Sequence, residues 1–377
     1  MQGRHDGARQ TVHFGPGSRR VLADALTGLG VDRALLVTGR TVAASGLIDE
    51  VLQATGDTRV QVWDGSREHA PRSAVEAGVA EVQRTGAQAV ISVGGSSPVE
   101  VARAVTMAVA DPQWTTRPRP LAAPLDTPML PVVAVTTTLS QAEFTNFVGV
   151  TDDATGEKHL YADHGLLPRV VVLDAELTTR TPHALWASTG VKALDSAIGG
   201  HVQQVPQLFR DPVTTAAVGE LVELLGHLAD GDEDAARRQR LQVAAWMAMF
   251  PRFQLPTTQP NPPGLPWFGS AARHQLGGAS RVRHGELSGV LLPAAIEFHL
   301  HDAGERIAGL AEPLGMDPAG LAAHVRDVVR ALGLPTTLTE LGVDPQLVPG
   351  AVEAMVREQP ALGERHDDVV AALDSVR

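Results

Sequence analysis

The sequence of 377 residues contains no cysteine. This absence excludes disulfide bonds, thiolate metal sites and a cysteine nucleophile. The chain also has no run of about 18 apolar residues, which argues against a transmembrane helix. Its first residues, MQGRHDGARQTVHFG, lack the apolar segment of a secretory signal. We therefore expect a cytoplasmic protein that does not bind membranes.

Positive charge is in the minority, and lysine is rare. Lys and Arg number 31 against 43 Asp and Glu, which leaves a net charge of −12. A net acidic chain does not favour nucleic acid as a partner, so we expect a small-molecule substrate instead. Only Lys158 and Lys192 are lysines. With so few, each lysine is a candidate for a specific role.

The hydrophobic pattern divides the chain into two parts. Up to about residue 178, short apolar runs alternate with helical stretches, which predicts a parallel sheet with helices on both faces. The predicted strands are 33–39, 58–63, 87–95, 128–138 and 170–177, and the predicted helices are 73–86 and 97–110. From about residue 179 the apolar spacing is helical. We therefore predict an α/β Rossmann-like nucleotide-binding domain over 1–178 and an all-α domain over 179–377.

The segment SVGGSSPVEVAR (92–103) runs from a predicted strand directly into a predicted helix. Its two glycines allow a ligand to approach the backbone, and its two serines offer hydroxyl and amide groups. The helix itself opens with Ser97 as N-cap and Pro98 as first residue. A helix N-terminus favours anions, so the segment is typical of a pyrophosphate site. An ordinary strand-to-helix turn explains the segment equally well.

A second polar loop, VTTTLSQAE (135–143), follows the next predicted strand. Its threonines can hydrogen-bond another part of the same nucleotide. Because the carboxyl ends of neighbouring parallel strands meet at one edge of a sheet, the two loops together favour a dinucleotide site.

The order of these motifs resembles the iron-containing alcohol dehydrogenase family, which has the dehydroquinate-synthase-like fold. The two loops are followed by TDDATGEKHLYADHGLLPRVVVLDAELTTRTP (151–182) and by RHQLGGASRVRHGELSGVLLP (273–293). Together with VHFGPGSRRVL (12–22), they are most similar to the maleylacetate reductase branch. The resemblance spans roughly residues 10–300 and implies an NAD(P)(H)-dependent oxidoreductase. It also implies a homodimer, in which the strand TVHFG is a candidate to extend a neighbouring sheet.

The resemblance implies a set of cofactor-binding residues. They are Gly94, Gly95, Ser96, Ser97, Thr137, Thr138, Leu139 and Lys158, with Ser96 in place of a usual glycine. Gly39 stands where many members carry an aspartate that binds the adenosine ribose and repels a 2′-phosphate. With Arg40 and Thr41 beside it, this substitution favours NADP(H) over NAD(H).

The family's metal ligands are only partly present. Metal-dependent members carry an aspartate and a histidine at i and i+4 of one helix, and two later histidines. Here the first pair is Lys192 and Ser196, while His274 and His284 retain the later positions. A glutamate common on the next turn is Gly199. An ammonium group repels a divalent ion, so we expect no bound metal.

We hypothesise that Lys192 replaces the metal as electrophile and general acid at the substrate oxygen. The histidines would either relay protons or donate hydrogen bonds to the substrate oxygen. Asp195, three residues after Lys192, would orient the ammonium group or pair with it. The predicted catalytic residues are therefore Lys192, Asp195, Ser196, His274 and His284. The competing interpretation is a solvated lysine on a helix that no longer lines a site.

Three arginines flank the histidines: Arg273, Arg281 and Arg283. Because guanidinium groups pair with carboxylates in a bidentate manner, they predict a substrate with an acidic group. Each one can instead lie in solvent or at a dimer interface. Trp267 and Phe268 either wall the pocket or belong to the core.

Three functions remain open from the sequence. The first is a metal-independent reductase or dehydrogenase of a small carbonyl or hydroxy compound. A variant is oxidative decarboxylation of a β-hydroxy acid, on a peptide or natural product, with which the Pro-rich loop 256–267 is compatible. The third is a non-redox lyase or binding subunit on the same fold.

Overall fold

The computed structural model describes residues 10–116, 128–203, 208, 210–232, 234–250 and 266–377. These residues form two compact units. The described residues up to Thr181 form the first unit, and those from Pro182 form the second. The division falls three residues after the predicted boundary at 178.

The first unit contains eight strands, β1 to β8. In chain order they are Thr11–Phe14, Arg33–Thr38, Arg59–Trp63, Ala89–Gly94, Val132–Thr136, Phe147–Thr151, Lys158–Ala162 and Val170–Leu173. Six of them form a parallel sheet in the order β1-β8-β5-β4-β2-β3. The predicted parallel sheet is confirmed, because near-continuous apolar runs are typical of strands that are covered on both faces.

Six helices belong to this unit. Helices α1 to α6 are Leu22–Gly28, Arg40–Ala43, Leu47–Ala54, Arg72–Thr85, Ser96–Ala110 and Ala175–Thr178. Alternate residues of β2 enter different cores: Leu35 and Val37 pack with α4 and α5, whereas Ala34 and Leu36 pack with α1 and α3. The sheet therefore has a hydrophobic core on each face, as the period-2 alternation of strand side chains requires.

Three local features differ from the sequence-based prediction. Helix α5 begins two residues earlier than expected, with Gly95 rather than Ser97 at the N-cap. The strand predicted over 170–177 ends at Leu173, because the carboxylate of Asp174 accepts a hydrogen bond from Glu176 N at 3.1 Å and caps α6. Strands β6 and β7 form an antiparallel hairpin that was not predicted.

The second unit is helical, as predicted. Helices α7 to α14 are His183–Val202, Arg210–Ala229, Ala235–Met249, Phe268–Ser280, His284–Ala311, Pro318–Ala331, Leu347–Glu358 and His366–Asp374. The backbone of α11 kinks at Ala303, where φ is −137° and ψ is 27°. Among the described residues, no helix combines the length and the apolar character needed to cross a membrane.

Candidate active site

The predicted phosphate loop lies between β4 and α5. Gly94 has φ of 137°, a conformation that L side chains rarely adopt, so the turn requires glycine there. A Cβ at Gly95 would lie 3.0 Å from the methyl carbon of Thr138, so the two polar loops are packed against each other. Ser96 is exposed and Ser97 half-buried in the first turn of α5. The backbone amides of this first turn of α5 are the groups through which a helix N-terminus binds phosphate.

The threonine loop continues β5 beside the phosphate loop. Thr137 N donates to Gly94 O at 2.9 Å, which fixes the two strand ends together. Thr137 and Thr138 are buried, and so is the side chain of Leu139. The hydroxyls of Ser92, Thr136 and Thr138 are buried without a hydrogen-bond partner among the described residues. A buried hydroxyl without a partner is costly, and an ordered water or a bound group would supply the missing hydrogen bond.

The remaining predicted cofactor residues lie on other elements of the first unit. Gly39 is the N-cap of α2, and a Cβ built there meets no described atom within 4 Å. Arg40 and Thr41 are exposed beside it. The stem of Lys158 lies over Gly149 in the β6–β7 hairpin, and its Nζ is 3.9 Å from Oε1 of Glu100 on α5. Lys158 therefore lies beside α5, the helix that follows the phosphate loop.

In the helical unit, the structure brings the two predicted histidines together. His274 lies on α10 and is exposed, whereas His284 begins α11 and is half-buried. Their ring centroids are 5.7 Å apart. Gly277, one turn after His274, makes this approach possible, because a Cβ there would lie 3.2 Å from Cδ2 of His284.

Lys192 lies on the segment of α7 that packs against the start of α11, the helix that His284 begins. It is half-buried on α7, with Ser196 one turn further along. A Cβ at Gly285, next to His284, would lie 2.8 Å from the backbone oxygen of Ser188, one turn before Lys192. Further along both helices, Ser288 Oγ donates to Asp195 Oδ2 at 2.8 Å. The segment of α7 that carries Lys192 is therefore bracketed by two contacts with the start of α11.

Asp195 and Arg273 have a different role from the predicted one. Asp195 is 1% exposed, and its carboxylate forms a buried ion pair with Nη1 of Arg273. Burial lowers the pKa of Arg273 to about 10. Arg273 therefore holds a carboxylate of the protein itself, which corrects its predicted role as a substrate ligand. Asp195 was predicted to orient Lys192, yet it accepts hydrogen bonds from α10 and α11.

Arg281 and Arg283 remain exposed beside the histidines. Arg281 has φ of 61° at the C-cap of α10, and Arg283 is the N-cap of α11. Both side chains therefore lie in the short turn that leads into His284.

Trp267 and Phe268 belong to the core, which was one of their two predicted roles. They are 2% and 0% exposed. The indole of Trp267 stacks on His299, with ring centroids 4.9 Å apart, and its Nε1 donates to Asp195 at 2.7 Å. His299, which was not predicted, accepts a hydrogen bond from Phe268 N, and burial lowers its pKa to about 4. In the sequence, the only sign that His299 is buried is its place in a helical stretch of mostly apolar residues.

The donor set at the family's metal positions does not fit a divalent ion. Two histidines are accompanied by Lys192 and Ser196, and ammonium is not a metal ligand. Among the described residues, no three His, Asp or Glu side chains lie together as a metal site. The glutamate position cannot contribute, because a Cβ at Gly199 would lie 2.6 Å from Cδ1 of Trp267.

Comparison with known proteins identifies the family. Residues 9–175 match the family model described as iron-containing alcohol dehydrogenase, and residues 186–374 match that of the C-terminal part of the same family. The chain is 27% identical to lactaldehyde reductase of Escherichia coli (strain K12), over 92% of this chain and 91% of the relative. It is 28% identical to NAD-dependent methanol dehydrogenase of Bacillus methanolicus, over 88% and 87%.

Solved structures share this fold. The crystal structure of maleylacetate reductase from Rhizobium sp. strain MTP-10005 aligns with a TM-score of 0.80 at 21% identity, covering 100% of this chain and 98% of that one. This likeness shows a shared fold. From the two matched family models, we conclude that the chain belongs to the iron-containing alcohol dehydrogenase family and is a nicotinamide-dependent oxidoreductase that acts on alcohol and carbonyl groups.

Proposed function

We propose that this protein interconverts a small carbonyl compound and its alcohol without a metal ion, with Lys192 as the electrophile. The observation that carries the proposal is the position of Lys192 on α7, bracketed by the contacts of α11 at Ser188 and Asp195. It is a cation at the position where the family resemblance places a metal ligand, and it lies on the segment of α7 that packs against the start of α11, the helix that His284 begins.

The chemistry requires a positive charge and a proton at the substrate oxygen. A bound nicotinamide supplies or accepts the hydride at the carbonyl carbon. In reduction, the Lys192 ammonium group stabilises the negative charge that develops on the oxygen and transfers a proton to it, which yields the hydroxyl group. Lys192 is left as a neutral amine. His284, half-buried, and His274, exposed, provide a path by which a solvent proton restores the ammonium group.

NADP(H) is the proposed cofactor, within a family that uses NAD. A Cβ built at Gly39 meets no described atom within 4 Å, and glycine itself brings no carboxylate that would repel a 2′-phosphate. The exposed guanidinium of Arg40 adds positive charge next to it.

The proposed substrates carry a carboxylate. Arg281 and Arg283 are exposed in the turn before α11, next to His284, and a guanidinium group there can pair with an acidic group of the substrate. Arg273 is excluded from this role by its ion pair with Asp195.

No observation favours the other functions. The Pro-rich loop at 256–267, which was compatible with a larger substrate, lies almost wholly outside the described residues. Neither oxidative decarboxylation nor a non-redox role gains support from the described geometry. The homodimer and the cytoplasmic location remain predictions.

The test is a titration of EDTA-treated protein with NADPH and NADH, followed by NADPH oxidation with small keto acids and with uncharged aldehydes of similar size. We expect tighter binding of NADPH and faster turnover of keto acids. In an Arg281→Gln/Arg283→Gln variant, KM for the keto acid should rise while turnover of the uncharged aldehyde stays unchanged. Failure to bind either dinucleotide would overturn the proposal.

A further inference from the structure

The carboxylate of Asp195 is the centre of a buried polar network that joins three helices. Asp195 belongs to α7, Arg273 to α10 and Ser288 to α11. Ser288 Oγ donates to Asp195 Oδ2 at 2.8 Å, and Arg273 Nη1 donates to Ser288 Oγ at 3.0 Å as well as to Asp195. Trp267 Nε1 donates to the other carboxylate oxygen. Both oxygens of the carboxylate are thus held by side chains from outside its own helix.

Along the chain, Asp195, Arg273 and Ser288 each lie within about one helical turn of a residue of the candidate site. Asp195 directly precedes Ser196 and follows Lys192 by three residues. Arg273 directly precedes His274. Ser288 follows His284 by four residues, or about one helical turn. The network therefore joins the three helical segments that carry the site, at a distance of one turn or less from each site residue.

The packing around this network depends on a glycine on α10. A Cβ at Gly269 would lie 2.8 Å from Nε1 of Trp267 and 3.2 Å from Oδ1 of Asp195, so only glycine lets the indole reach the carboxylate. Arg273 and Asp195 are both less than a tenth exposed. A buried charge whose partner is removed is strongly destabilising, so the pair fixes the relative positions of α7 and α10.

We infer that the network of Asp195, Arg273 and Ser288 performs the positioning that a metal ion would perform at residues 192, 196, 274 and 284. An ion with ligands on α7, α10 and α11 would tie these helices together, and here a buried ion pair with a bridging hydroxyl does so. This inference rests on the proposed metal-free function. The three side chains are positioning residues, because they act by holding Lys192 and the two histidines.

The test is an Asp195→Asn/Arg273→Met double variant of the full chain. It removes both charges together, so no uncompensated charge stays buried, and the amide oxygen of the new asparagine can still accept the hydrogen bond from Trp267. We expect a folded protein with unchanged NADPH affinity, because the cofactor loops lie in the other unit. Turnover should fall about 10- to 100-fold, since small misplacements of catalytic groups have effects of that size. The pH profile of turnover should change as well.

A second readout does not depend on activity. In protein labelled with ¹⁵N at histidine, the ring signals of His274 and His284, assigned with single His→Gln variants, should shift in the double variant. A matched Glu220→Gln/Arg240→Met variant removes an exposed ion pair of α8 and α9 and should leave these signals and turnover unchanged.

The outcomes separate the two proposals. The wild-type protein could show no turnover while the double variant still shifts the ring signals. That result would support the positioning role and overturn the proposed reaction. A folded double variant with unchanged ring signals, turnover and pH profile would overturn the positioning role. So would a metal ion bound at His274 and His284 of the wild-type protein.

Discussion

The indole of Trp267 occupies the space beside Gly199, where a Cβ would lie 2.6 Å from its Cδ1 atom. Position 199 is where the family resemblance places a glutamate in metal-dependent members. In this chain the indole of Trp267 fills that space, and its Nε1 also donates a hydrogen bond to Asp195. The absence of a carboxylate at position 199 and the packing of α7 are therefore linked through one tryptophan.

Gly199→Ala should destabilise the protein, even though alanine favours helices more than glycine. The added methyl group forces the indole to move, and overpacking of this kind costs about 1–3 kcal/mol. The control is Gly226→Ala in α8, where a Cβ meets no described atom within 4 Å. Because no contact opposes it, that variant should be stabilised by about 0.5–1 kcal/mol. Urea unfolding of both variants measures the difference; equal stability would contradict the packing described for Trp267.

The double variant Lys192→Asp/Ser196→His should create a metal site. It places a carboxylate and an imidazole one turn apart on α7, together with His274 and His284. Three histidines and one carboxylate suit a divalent transition metal. Calorimetry with Zn²⁺ should give one site per chain, and His284→Ala in the same background should abolish it. If the double variant binds no metal, the four positions do not converge as we infer.

Gly39→Asp should reverse the cofactor preference. A carboxylate beside a 2′-phosphate repels it, and a loss of NADPH affinity of about 10- to 100-fold is consistent with charges at close range near the surface. NADH affinity should hold or rise. Gly39→Asn has the same shape without the charge and should change NADPH binding far less. Fluorescence titration of both nucleotides tests this; an equal effect of Asp and Asn would point to shape instead of charge.

His299 should make stability depend on pH. Burial lowers its pKa from 6.5 to about 4 in the folded protein. Above pH 6.5 the ring is neutral in both states; between pH 6.5 and 4 only the unfolded chain takes up the proton. The free energy of unfolding should therefore fall as the pH falls through this range, by about 3 kcal/mol in total.

The variant His299→Gln isolates this effect. Glutamine keeps an acceptor for Phe268 N and cannot titrate, so its urea-unfolding free energy should depend less steeply on pH between 6.5 and 4. His301→Gln changes an exposed histidine of the same helix and should keep the wild-type slope. Equal slopes for all three proteins would rule out His299 as the source.

The sequence predicted the fold because its signals are local. The apolar runs of β2, β4 and β5 are long enough to indicate strands buried on both faces, and the helical spacing of the second half is regular. The β6–β7 hairpin was missed because the side chains of β7 mix exposed and buried positions, from exposed Lys158 to buried Tyr161.

The candidate site was predicted less completely, because its contacts join distant parts of the chain. His274 and His284 were predicted from their family positions, and the structure places their ring centroids 5.7 Å apart. The ion pair of Asp195 and Arg273 links residues 78 apart, and neither residue type indicates its partner. Arg273 resembled a substrate ligand on the sequence because burial cannot be read from a single arginine within a helical stretch. Gly199 was noted only as a lost ligand, since the ring that fills its space comes from Trp267.

The most direct test of Lys192 as the replacement for the metal combines metal analysis with turnover. Metal content per chain is measured on untreated protein, and NADPH oxidation is measured after EDTA treatment for the wild type and for Lys192→Met. We expect no stoichiometric metal and full wild-type turnover. Lys192→Met should lose about 10²- to 10⁴-fold in turnover, the range attributed to a general acid, with NADPH affinity unchanged. Stoichiometric iron or zinc, with turnover that returns only when the ion is added back, would contradict this role of Lys192.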